Sequence, residues 1–354
     1  MTDTSKQFDN WLSEDSASSP AALVIREHLI PVEGADGVLF PSTFAAGENF
    51  AGGYNIDGPS DGENYCLIDS VGSQANRIEP IFLQEKYKKL IPRIVVKAGE
   101  REISILEAGH RAGDALVRCS PLQGDLRKAF QQVQRGNTIP LAKIAPTSIV
   151  FGAWDSRDTE AKLPRLIAST IRAFNVRPLT RSAQFVPATS YVKDGLLDEP
   201  TTKKVKDSYA SRGFIHIPAS AKHGGVIATG GIRRDATLNL AALRLHGEKG
   251  NKENTLALRR YILGLSLVAF THPSAFVGYL RQGCTLVLNP DKSRECVEVH
   301  PDGKRPVFSI THEESLQFAS DAAEAFGLGD GKTVEFDSKA AKKDLASKDK
   351  AAEE

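Results

Sequence analysis

The residues most suited to chemistry in this chain are hydroxyl and guanidinium side chains between Ser70 and Arg77. Ser70 and Ser73 stand at the start of a predicted helix that follows a short predicted strand. The first turn of a helix leaves backbone N–H groups free, and these groups favour an anion. Arg77 follows Ser73 by one turn, so it shares that face and can add a bidentate phosphate contact. The alternative is an ordinary solvated helix face with an N-cap serine.

Further basic side chains form groups along the middle of the chain. The groups contain His110, Arg111 and Arg118; Arg157, Lys162, Arg165 and Arg172; Arg177 and Arg181; Lys203, Lys204 and Lys206; and Arg233 with Arg234. A single group of this kind is usually a solvated surface, whereas five groups in one segment favour binding to the backbone of RNA. No aromatic motif typical of sequence-reading RNA-recognition domains accompanies them.

The formal net charge of +1 conceals an uneven distribution along the 354 residues. Residues 91–290 contain 29 Lys+Arg against 15 Asp+Glu, a balance of +14. Residues 1–90 have a balance of −8, and residues 291–354 have a balance of −5. The nearly balanced total charge excludes a uniformly basic nucleic-acid packing protein and an acidic solvating chain. The middle segment nevertheless remains a candidate surface for a polyanion.

The spacing of cysteine and histidine argues against a metal site and known catalytic motifs. The four cysteines have no CxxC spacing, and the eight histidines form no HxxxH or HxH pattern. We therefore expect no metal and four reduced, mostly buried thiols in a cytosolic protein. Phe326 stands where a phosphate-binding loop needs glycine, and no GxSxG sequence is present. We predict no catalytic residue and no cofactor.

The hydropathy of the chain predicts a protein without a membrane partner. Its N-terminus is polar and acidic and lacks an apolar signal core. The longest apolar stretch, Tyr261–Phe270, is far shorter than the roughly 20 residues of a membrane-spanning helix. We therefore expect a cytoplasmic location.

Strands and helices interleave along the chain, and the predicted strand pairs look antiparallel, which indicates an α+β fold rather than a doubly wound sheet. Ala161–Phe174 is predicted to form an amphipathic helix, and Asp155 or Ser156 to cap a helix beginning near Glu160. The other predictions are a strand or short helix over Ala22–Leu29, a strand ending at Cys66–Ile68, a helix over Ser70–Leu90 that Pro80 kinks or divides, a hairpin of Arg93–Lys97 with Glu102–Leu106, a strand over Ser148–Trp154, a helix over Asn254–Phe270, and a pair of strands over Thr285–Leu288 and Cys296–Val299.

Composition divides the chain into one domain with two weakly ordered ends. Residues 1–21 are polar and acidic, and residues 338–354 form a charged tail rich in Ala, Lys, Asp and Glu, which we expect to be flexible. Residues 22–337 are predicted to form a single domain with long insertions. The candidate insertions are residues 34–65 and residues 189–224.

Several sequence runs, taken together, resemble a known family. They are Phe40–Ala45, Tyr54–Asp57, Cys66–Val71 with Ser73–Arg77, Leu141–Ser148, Trp154–Arg157, Lys162–Arg165 and Gly231–Leu238. With these runs the chain, from about residue 22 to 330, resembles the RAMP-superfamily backbone subunit of the type I-U (also called I-G) CRISPR effector complex, a Cascade-type assembly.

The resemblance implies an RRM-like, ferredoxin-like palm with inserted fingers and thumb, for which residues 34–65 and 189–224 are the candidates. It also implies an antiviral-defence subunit that is not itself an enzyme. Copies stack head to tail in a helical filament along one CRISPR RNA, with other effector subunits, and leave the guide free to pair with target DNA. The Ser-x-x-x-Arg pattern of Ser73 and Arg77 matches the place where relatives hold the guide. The candidate RNA-binding residues are Ser73, Gln74, Arg77, Arg111, Arg157, Lys162, Arg165, Arg172, Arg181, Arg233 and Arg234.

Two other functions stay open at this point. Related type III backbone subunits cut target RNA with an Asp near the first palm helix, and Asp57, Asp61 and Asp69 lie in a comparable region. Paired carboxylates can hold Mg²⁺, although isolated ones near a glycine-rich loop usually form caps or turns. A small-molecule enzyme with an unrecognised site is the third alternative.

Overall fold

Strict alternation of apolar and polar residues produces the central strands of this protein. The computed structural model describes residues 3–14, 19–59, 62–272 and 278–351. The strands are β1 (Ala22–Pro31), β2 (Thr43–Phe44), β3 (Gly53–Tyr54), β4 (Ile56–Asp57), β5 (Tyr65–Asp69), β6 (Ile94–Ala98), β7 (Arg101–Ser104), β8 (Ala153–Trp154), β9 (Lys162–Leu163), β10 (Ile167–Phe174), β11 (Val176–Phe185), β12 (Ile217–Ala228), β13 (Ile232–Asn239), β14 (Gly278–Arg281), β15 (Cys284–Leu288), β16 (Glu295–Val299) and β17 (Lys332–Glu335).

The helices vary widely in length. The α-helices are α1 (Asp3–Leu12), α2 (Val71–Ile78), α3 (Ala115–Arg118), α4 (Gln123–Gln134), α5 (Ile139–Ile144), α6 (Thr147–Val150), α7 (Lys203–Ser211), α8 (Leu240–Leu243), α9 (Lys252–Thr271), α10 (His312–Phe326) and α11 (Ser338–Ala351). Short 3₁₀ helices cover Glu79–Leu83, Glu85–Tyr87, Ile105–Glu107 and Arg111–Gly113.

The central sheet has the order β14-β15-β1-β13-β10-β5-β4, and β16 also pairs with β1. All of these pairs are antiparallel. Strands β16, β1, β13 and β10 lie side by side in this order, and each runs antiparallel to its neighbours. The same arrangement occurs in a ferredoxin-like split βαβ fold. The α+β class with an antiparallel palm-like sheet is therefore confirmed.

One face of this sheet carries two apolar cores with a polar layer between them. Leu23 and Ile25 of β1 belong to the larger core, which includes α2 and α9. Leu29 of β1 belongs to the smaller core. Between Ile25 and Leu29 the same face carries Glu27, which is fully buried although it is a carboxylate. Buried charges need partners, so this layer must contain cations.

The chain leaves the central sheet after β10 and returns to it at β13. Between these strands it forms a two-stranded ribbon of β11 and β12, and α7 lies between the two ribbon strands in sequence. The insertion predicted at 189–224 therefore belongs to a longer excursion that includes both ribbon strands. The predicted insertion at 34–65 reaches the base of this ribbon. There the backbone N–H groups of Leu39 and Val226 donate to each other's carbonyl oxygens, at 2.9 and 2.7 Å.

The predicted helix over Ala161–Phe174 is wrong, because this segment forms β9 and β10. Ile167, Ile171 and Phe174 fit a helical spacing, but Ile167, Ile171 and Ala173 also lie on one face of a strand. The strand buries that face in the sheet, so tertiary packing decides between the two patterns. No helix begins near Glu160 either: Asp155 instead accepts hydrogen bonds from the backbone N–H and hydroxyl of Thr159, which closes a turn.

Two other predicted strands also differ from the structure. Ser148–Trp154 is mostly not a strand, since α6 covers Thr147–Val150 and only the two-residue β8 follows it. The strands β15 and β16 occur as predicted, but they do not pair with each other. Each pairs with a different part of the same edge of β1, because the segment between them continues along that edge instead of turning back.

Several other predicted elements are confirmed. β1 and β5 are strands, and the hairpin over residues 93–106 forms as β6 with β7. α9 covers the predicted long helix, and the helix after Ser70 ends at Ile78, just before Pro80. Proline cannot donate an intrahelical hydrogen bond, which explains the change to a 3₁₀ helix at this point.

The two ends of the chain are helical where the structure describes them. The expectation of weak order is wrong for residues 3–12, because Phe8, Trp11 and Leu12 of α1 are buried in the larger core. Trp11 also donates from Nε1 to Glu298 Oε1 at 2.9 Å. The tail forms α11, whose Asp344 accepts a hydrogen bond from Arg118 at 2.7 Å.

The cysteines have the burial that the sequence indicates. Cys66, Cys119 and Cys284 are buried and Cys296 is half-buried, and all four are free thiols. Desolvation raises the pKa of the Cys66 and Cys284 thiols to about 12. Among the described residues, no helix combines the length and the apolar character that crossing a membrane requires.

Candidate nucleic-acid interface

Helix α2 begins at the residue that the sequence indicates. Ser70 adopts an extended conformation, and its hydroxyl accepts a hydrogen bond from the backbone N–H of Ser73 at 3.3 Å. This side-chain cap fixes the start of the helix directly after β5 ends at Asp69. The first turn of α2 therefore follows a strand of the central sheet without an intervening loop.

Arg77 lies one turn further along α2 and is anchored from below. Its Nε donates to Asp69 Oδ2 at 3.2 Å, and Asp69 is buried. The Arg77 side chain keeps 39% of its surface exposed. Asp69 thus holds one edge of the Arg77 guanidinium in place. The remaining N–H groups stay available for the predicted phosphate contact.

Gln74 occupies a different place from the one predicted. Its side chain is buried, donates from Nε2 to Asp69 Oδ2 at 2.6 Å and accepts from the Ser169 hydroxyl at 2.8 Å. It has no surface to offer an RNA chain. Gln74 instead orients the carboxylate that anchors Arg77.

Arg111 is also buried, although the sequence placed it among the RNA contacts. Its guanidinium donates to Glu79 Oε2 at 2.6 Å, to the Gly152 carbonyl at 3.3 Å and to Asn76 Oδ1 at 3.3 Å. Desolvation raises the pKa of Glu79 to about 7, against the lowering effect of Arg111. Burial removes Arg111 from the candidate contacts and gives it another role, which is to hold α2 against the loop around Gly152.

A pocket of about 300 Å³ opens above Arg111. The two-residue strands β8 and β9 form one wall, with Trp154 directly opposite Lys162 in register. Trp154 is 59% exposed, and the Lys162 ammonium lies 5.6 Å from the centre of its ring. The side chains that line this pocket include no carboxylate; they are those of His110, Arg111, Ala153, Trp154, Lys162, Leu163, Pro164 and Arg165.

Arg165 connects this pocket with α2. A methyl group placed on Gly72 would lie 3.8 Å from Arg165 Nη2, so the guanidinium reaches the first turn of the helix. Desolvation, and then the nearby Arg111, lower the pKa of Arg165. Trp154, Lys162 and Arg165 thus line one pocket, and Arg165 extends from it to the first turn of α2, the helix that carries Ser73 and Arg77. This pocket, with Trp154, Lys162 and Arg165 in its lining, is called the α2 pocket below.

The α2 pocket combines groups that bind single-stranded nucleic acid elsewhere. Arginine and lysine side chains neutralise phosphates, and arginine does so with a fixed pair of donors. An exposed aromatic ring offers a stacking face that does not depend on base identity. Within the described residues, neither Lys162 nor Arg165 has a carboxylate within 4 Å, so their charges are not already neutralised.

The remaining predicted contacts lie elsewhere in the fold. Arg157 is exposed beside α11, Arg181 lies on the ribbon with its guanidinium 5.9 Å from the Phe40 ring, and Arg172 and Arg233 share the open face of the central sheet. Arg234 is the exception: its side chain is 0% exposed and pairs with Glu27 at 2.6 Å. Because it has no accessible surface, Arg234 is removed from the candidate RNA contacts.

Sequence reasoning missed the aromatic residues of these surfaces. Trp154 stands in the run Trp154–Arg157, for which the sequence indicates only a helix cap at Asp155 or Ser156. Tyr65 and Phe174 carry no local motif at all. Only the register of β5 with β10 brings them together, and one sequence cannot show that register.

The carboxylates of the alternative nuclease site do not form a cluster where they are described. Asp57 ends the short β4, Asp61 lies outside the described residues, and Asp69 is buried beneath Arg77. In the described ranges, no group of three or more His, Cys, Asp or Glu side chains is arranged to hold a metal ion.

Comparison with known families gives one match. Residues 23–178 match the family model described as CRISPR-associated protein GSU0053. The matched segment runs from β1 into β11 and contains the whole α2 pocket, but it is less than half of the chain. No curated protein matches the chain. The family match supports a CRISPR-associated role.

Proposed function

We propose that this chain is a non-catalytic RAMP-superfamily backbone subunit of a type I-U (I-G) CRISPR effector complex. It binds guide CRISPR RNA along the phosphate backbone, assembles head to tail with further copies and with other effector subunits, and presents the guide for pairing with target DNA. The family match and the resemblance of the sequence runs support the complex to which it belongs. The α2 pocket supports its action on RNA.

The observation that carries this proposal is that, among the described residues, no carboxylate lies within 4 Å of Lys162 or Arg165 in the α2 pocket. Many arginines of this protein are paired, including Arg26, Arg111, Arg234, Arg259 and Arg260. Lys162 and Arg165 are exposed and, among the described residues, have no such partner. Unpaired cations beside a helix start and an exposed tryptophan match the charge and the stacking surface of an RNA strand.

Each group has a distinct task in this proposal. Arg165 and the N–H groups at the start of α2 bind one phosphate, and Lys162 neutralises the next. Arg77, fixed by Asp69, binds a phosphate further along α2, and the indole of Trp154 stacks on an exposed base or ribose. These contacts do not read bases, so any guide sequence is accepted and Watson–Crick pairing supplies the specificity.

A salt titration with two matched double variants tests the RNA interface. The full chain is titrated with single-stranded RNAs of unrelated sequence by filter binding at several salt concentrations. The double variant Lys162→Ala with Arg165→Ala is expected to weaken the binding of all RNAs alike. The slope of log binding constant against log salt concentration should fall by roughly 0.7 for each lost phosphate contact. The control, Lys304→Ala with Arg305→Ala, removes two exposed cations that already pair with Asp302 and Glu295, and should leave the slope unchanged. Equal slopes for both variants would contradict the proposal.

Assembly along a guide requires a separate measurement. The protein is purified with and without co-expressed guide RNA, and its absorbance ratio and native mass are recorded. We expect a ladder of masses on one RNA. A monomer free of nucleic acid in both preparations would count against a backbone subunit.

The non-catalytic part of the proposal is tested with the assembled complex. Complementary RNA is incubated with it in the presence of Mg²⁺ and is expected to remain intact. Cleavage at regular intervals that disappears in an Asp57→Ala variant would assign the chain to the nuclease alternative. Asp57 is the better choice than Asp69, because Asp69 also anchors Arg77 and its loss would weaken binding itself.

A further inference from the structure

The face of the central sheet opposite the two cores is only partly covered. Arg26 and His28 of β1 project from it and are half-exposed. In register, His28 lies opposite Arg233 of β13, and Arg233 lies opposite Arg172 of β10. Three basic side chains thus form a row across three neighbouring strands.

Two aromatic side chains extend this row at the edge of the sheet. Tyr65 of β5 is the register partner of Phe174 of β10, and their ring centres are 5.5 Å apart in an edge-to-face arrangement. The Arg233 guanidinium lies 4.7 Å from the centre of the Phe174 ring. Tyr65 is 47% exposed although it contacts the Phe174 ring. The pair leaves a phenol ring presented to solvent.

These side chains enclose a pocket of about 280 Å³, which we call the sheet pocket. Its lining residues are His28, Glu63, Tyr65, Phe174, Asn175, Gly230, Ile232 and Arg233. Gly230 leaves no room for a side chain, since a methyl group there would lie 2.8 Å from the Phe174 carbonyl oxygen. The backbone therefore approaches closely at one side, and aromatic rings form the other.

The electrostatics of the sheet pocket differ from those of the α2 pocket. Arg233 donates from Nε to Asp235 Oδ2 at 2.9 Å, and Arg26 donates to the other oxygen of that carboxylate, so the charge of Arg233 is partly compensated. Glu63 adds an exposed carboxylate at the rim. A phosphate is disfavoured there, whereas a neutral planar group with hydrogen-bonding edges is suited to stacking on Tyr65 between the Glu63 carboxylate and the Asn175 amide.

Arg172 lies beside the sheet pocket and is suited to bind the phosphate attached to such a planar group. It neighbours Arg233 in register, is exposed, and among the described residues has no carboxylate within 4 Å. Its guanidinium donates to the Thr170 hydroxyl at 2.8 Å. A neutral ring site beside an uncompensated cation corresponds to one nucleotide, with the base in the pocket and the phosphate outside it.

We propose that the sheet pocket binds one unstacked nucleobase of a single-stranded RNA, with Tyr65 as the stacking surface and Arg172 on the adjacent phosphate. The pocket acts in this way only if the chain binds RNA as proposed above. It adds a second contact on a different face of the sheet, which depends on the presence of a base rather than on charge alone.

The test compares RNA with a backbone that lacks one base. The full chain is titrated with a short fluorescent oligouridine and with the same oligomer carrying abasic sites. The variants are Tyr65→Ala, Tyr65→Leu, which keeps apolar bulk without a ring, and Tyr279→Ala, an exposed tyrosine at the opposite edge of the same sheet. Loss of one stacked base is expected to weaken oligouridine binding about fivefold to a hundredfold in both Tyr65 variants. Binding of the abasic oligomer should not change, and Tyr279→Ala should behave as wild type.

Two results would overturn the proposal, and both are distinguishable from failure of the RNA interface itself. Equal affinity of the Tyr65 variants and the wild type for oligouridine would exclude a base in the sheet pocket. An equal loss for the abasic oligomer would show that Tyr65 acts on the backbone or on folding, and the thermal midpoint of each variant separates those two causes. Failure of the wild type to bind either oligomer would instead refute the proposed function as a whole.

Discussion

Two sets of basic residues in the same positively charged segment differ in burial and in pairing with carboxylates. Arg111 and Arg234 are buried, and each has a glutamate oxygen 2.6 Å from its guanidinium. Lys162, Arg165 and Arg172 are exposed, and where the chain is described they have no carboxylate within 4 Å. Arginine cannot lose its charge in a protein, so burial demands a partner, whereas exposure leaves the charge available for a polyanion. The difference shows that basic residue type alone does not identify an RNA contact.

The buried set nevertheless supports the exposed one. Glu27 binds Arg234, Arg234 donates from Nε to the Ser169 hydroxyl at 2.9 Å, and Ser169 donates to Gln74. Gln74 in turn donates to Asp69, which anchors the half-exposed Arg77. A chain of hydrogen bonds therefore crosses the sheet between the two apolar cores and ends at the proposed RNA surface. The same interactions contribute to stability and to the position of a contact residue.

The largest predicted effect comes from breaking the buried pair. Glu27→Ala leaves the Arg234 charge uncompensated in the core, so the free energy of unfolding should fall by about 3–5 kcal/mol. Glu295→Ala is the matched control, since this glutamate pairs with Arg26 and Arg305 at the surface and should cost about 1 kcal/mol or less. Urea denaturation of the three proteins measures both values. Equal losses for the two variants would remove the distinction between buried and exposed pairs.

A smaller effect is predicted for a buried basic residue that has lost its charge. His246 is buried, and desolvation followed by the nearby Arg259 lowers its pKa to about 4. Its folded pKa lies below the unfolded value of about 6.5, so its contribution is complete above that pH and is lost as the pH falls towards 4. The loss should approach about 3 kcal/mol near pH 4.

The variant His246→Gln isolates this contribution, because it cannot titrate. Unfolding free energies of the wild type and of His246→Gln, measured from pH 7 to 4, should diverge over this range, and the wild type should fall more steeply. His110→Gln removes an exposed histidine and should follow the wild type. A parallel pair of pH profiles for the wild type and His246→Gln would show that the buried imidazole does not titrate as proposed.

Arg77 lies between the two sets, so its loss should weaken RNA binding and, because it leaves the buried Asp69 carboxylate without its cation, also lower the free energy of unfolding. Arg77→Ala is expected to weaken binding about tenfold for every guide sequence, with a lower salt dependence, because one charged hydrogen bond to phosphate is lost. Asp69→Asn, which releases the anchor but keeps the arginine, should have a smaller effect in the same direction. Arg101→Ala, an exposed arginine on β7, serves as the control in the filter-binding titration. An unchanged salt slope for Arg77→Ala would place the guide elsewhere.

The smallest predicted effect concerns the start of α2. Ser70→Ala removes the hydroxyl that caps the Ser73 N–H and should lower the free energy of unfolding by about 1 kcal/mol, whereas Ser70→Gly should cost only a few tenths. Urea denaturation resolves the two variants. A loss as large as that of Glu27→Ala would mean that Ser70 is coupled to the buried polar chain rather than only to its own helix.

Local patterns predicted the two ends of α2 correctly, because short-range geometry decides them. The Ser70 cap, the division of the helix at Pro80 and the shared face of Ser73 and Arg77 each follow from a few neighbouring residues. The strand over Ile167–Phe174 was mistaken for a helix, since its apolar residues satisfy both periods over a short stretch. The sheet decides this ambiguity by burying one face of the segment beside β13 and β5.

The sequence by itself determined the charge of the middle segment, the α+β class and the residues at the start of α2. These properties depend on composition or on spacings of a few residues, which the unfolded chain already contains. Only the tertiary structure decided which arginines are buried with glutamates, which cations meet Trp154, and that Tyr65 lies beside Phe174. Burial and strand register depend on contacts between residues far apart in the chain, and no local spacing contains that information.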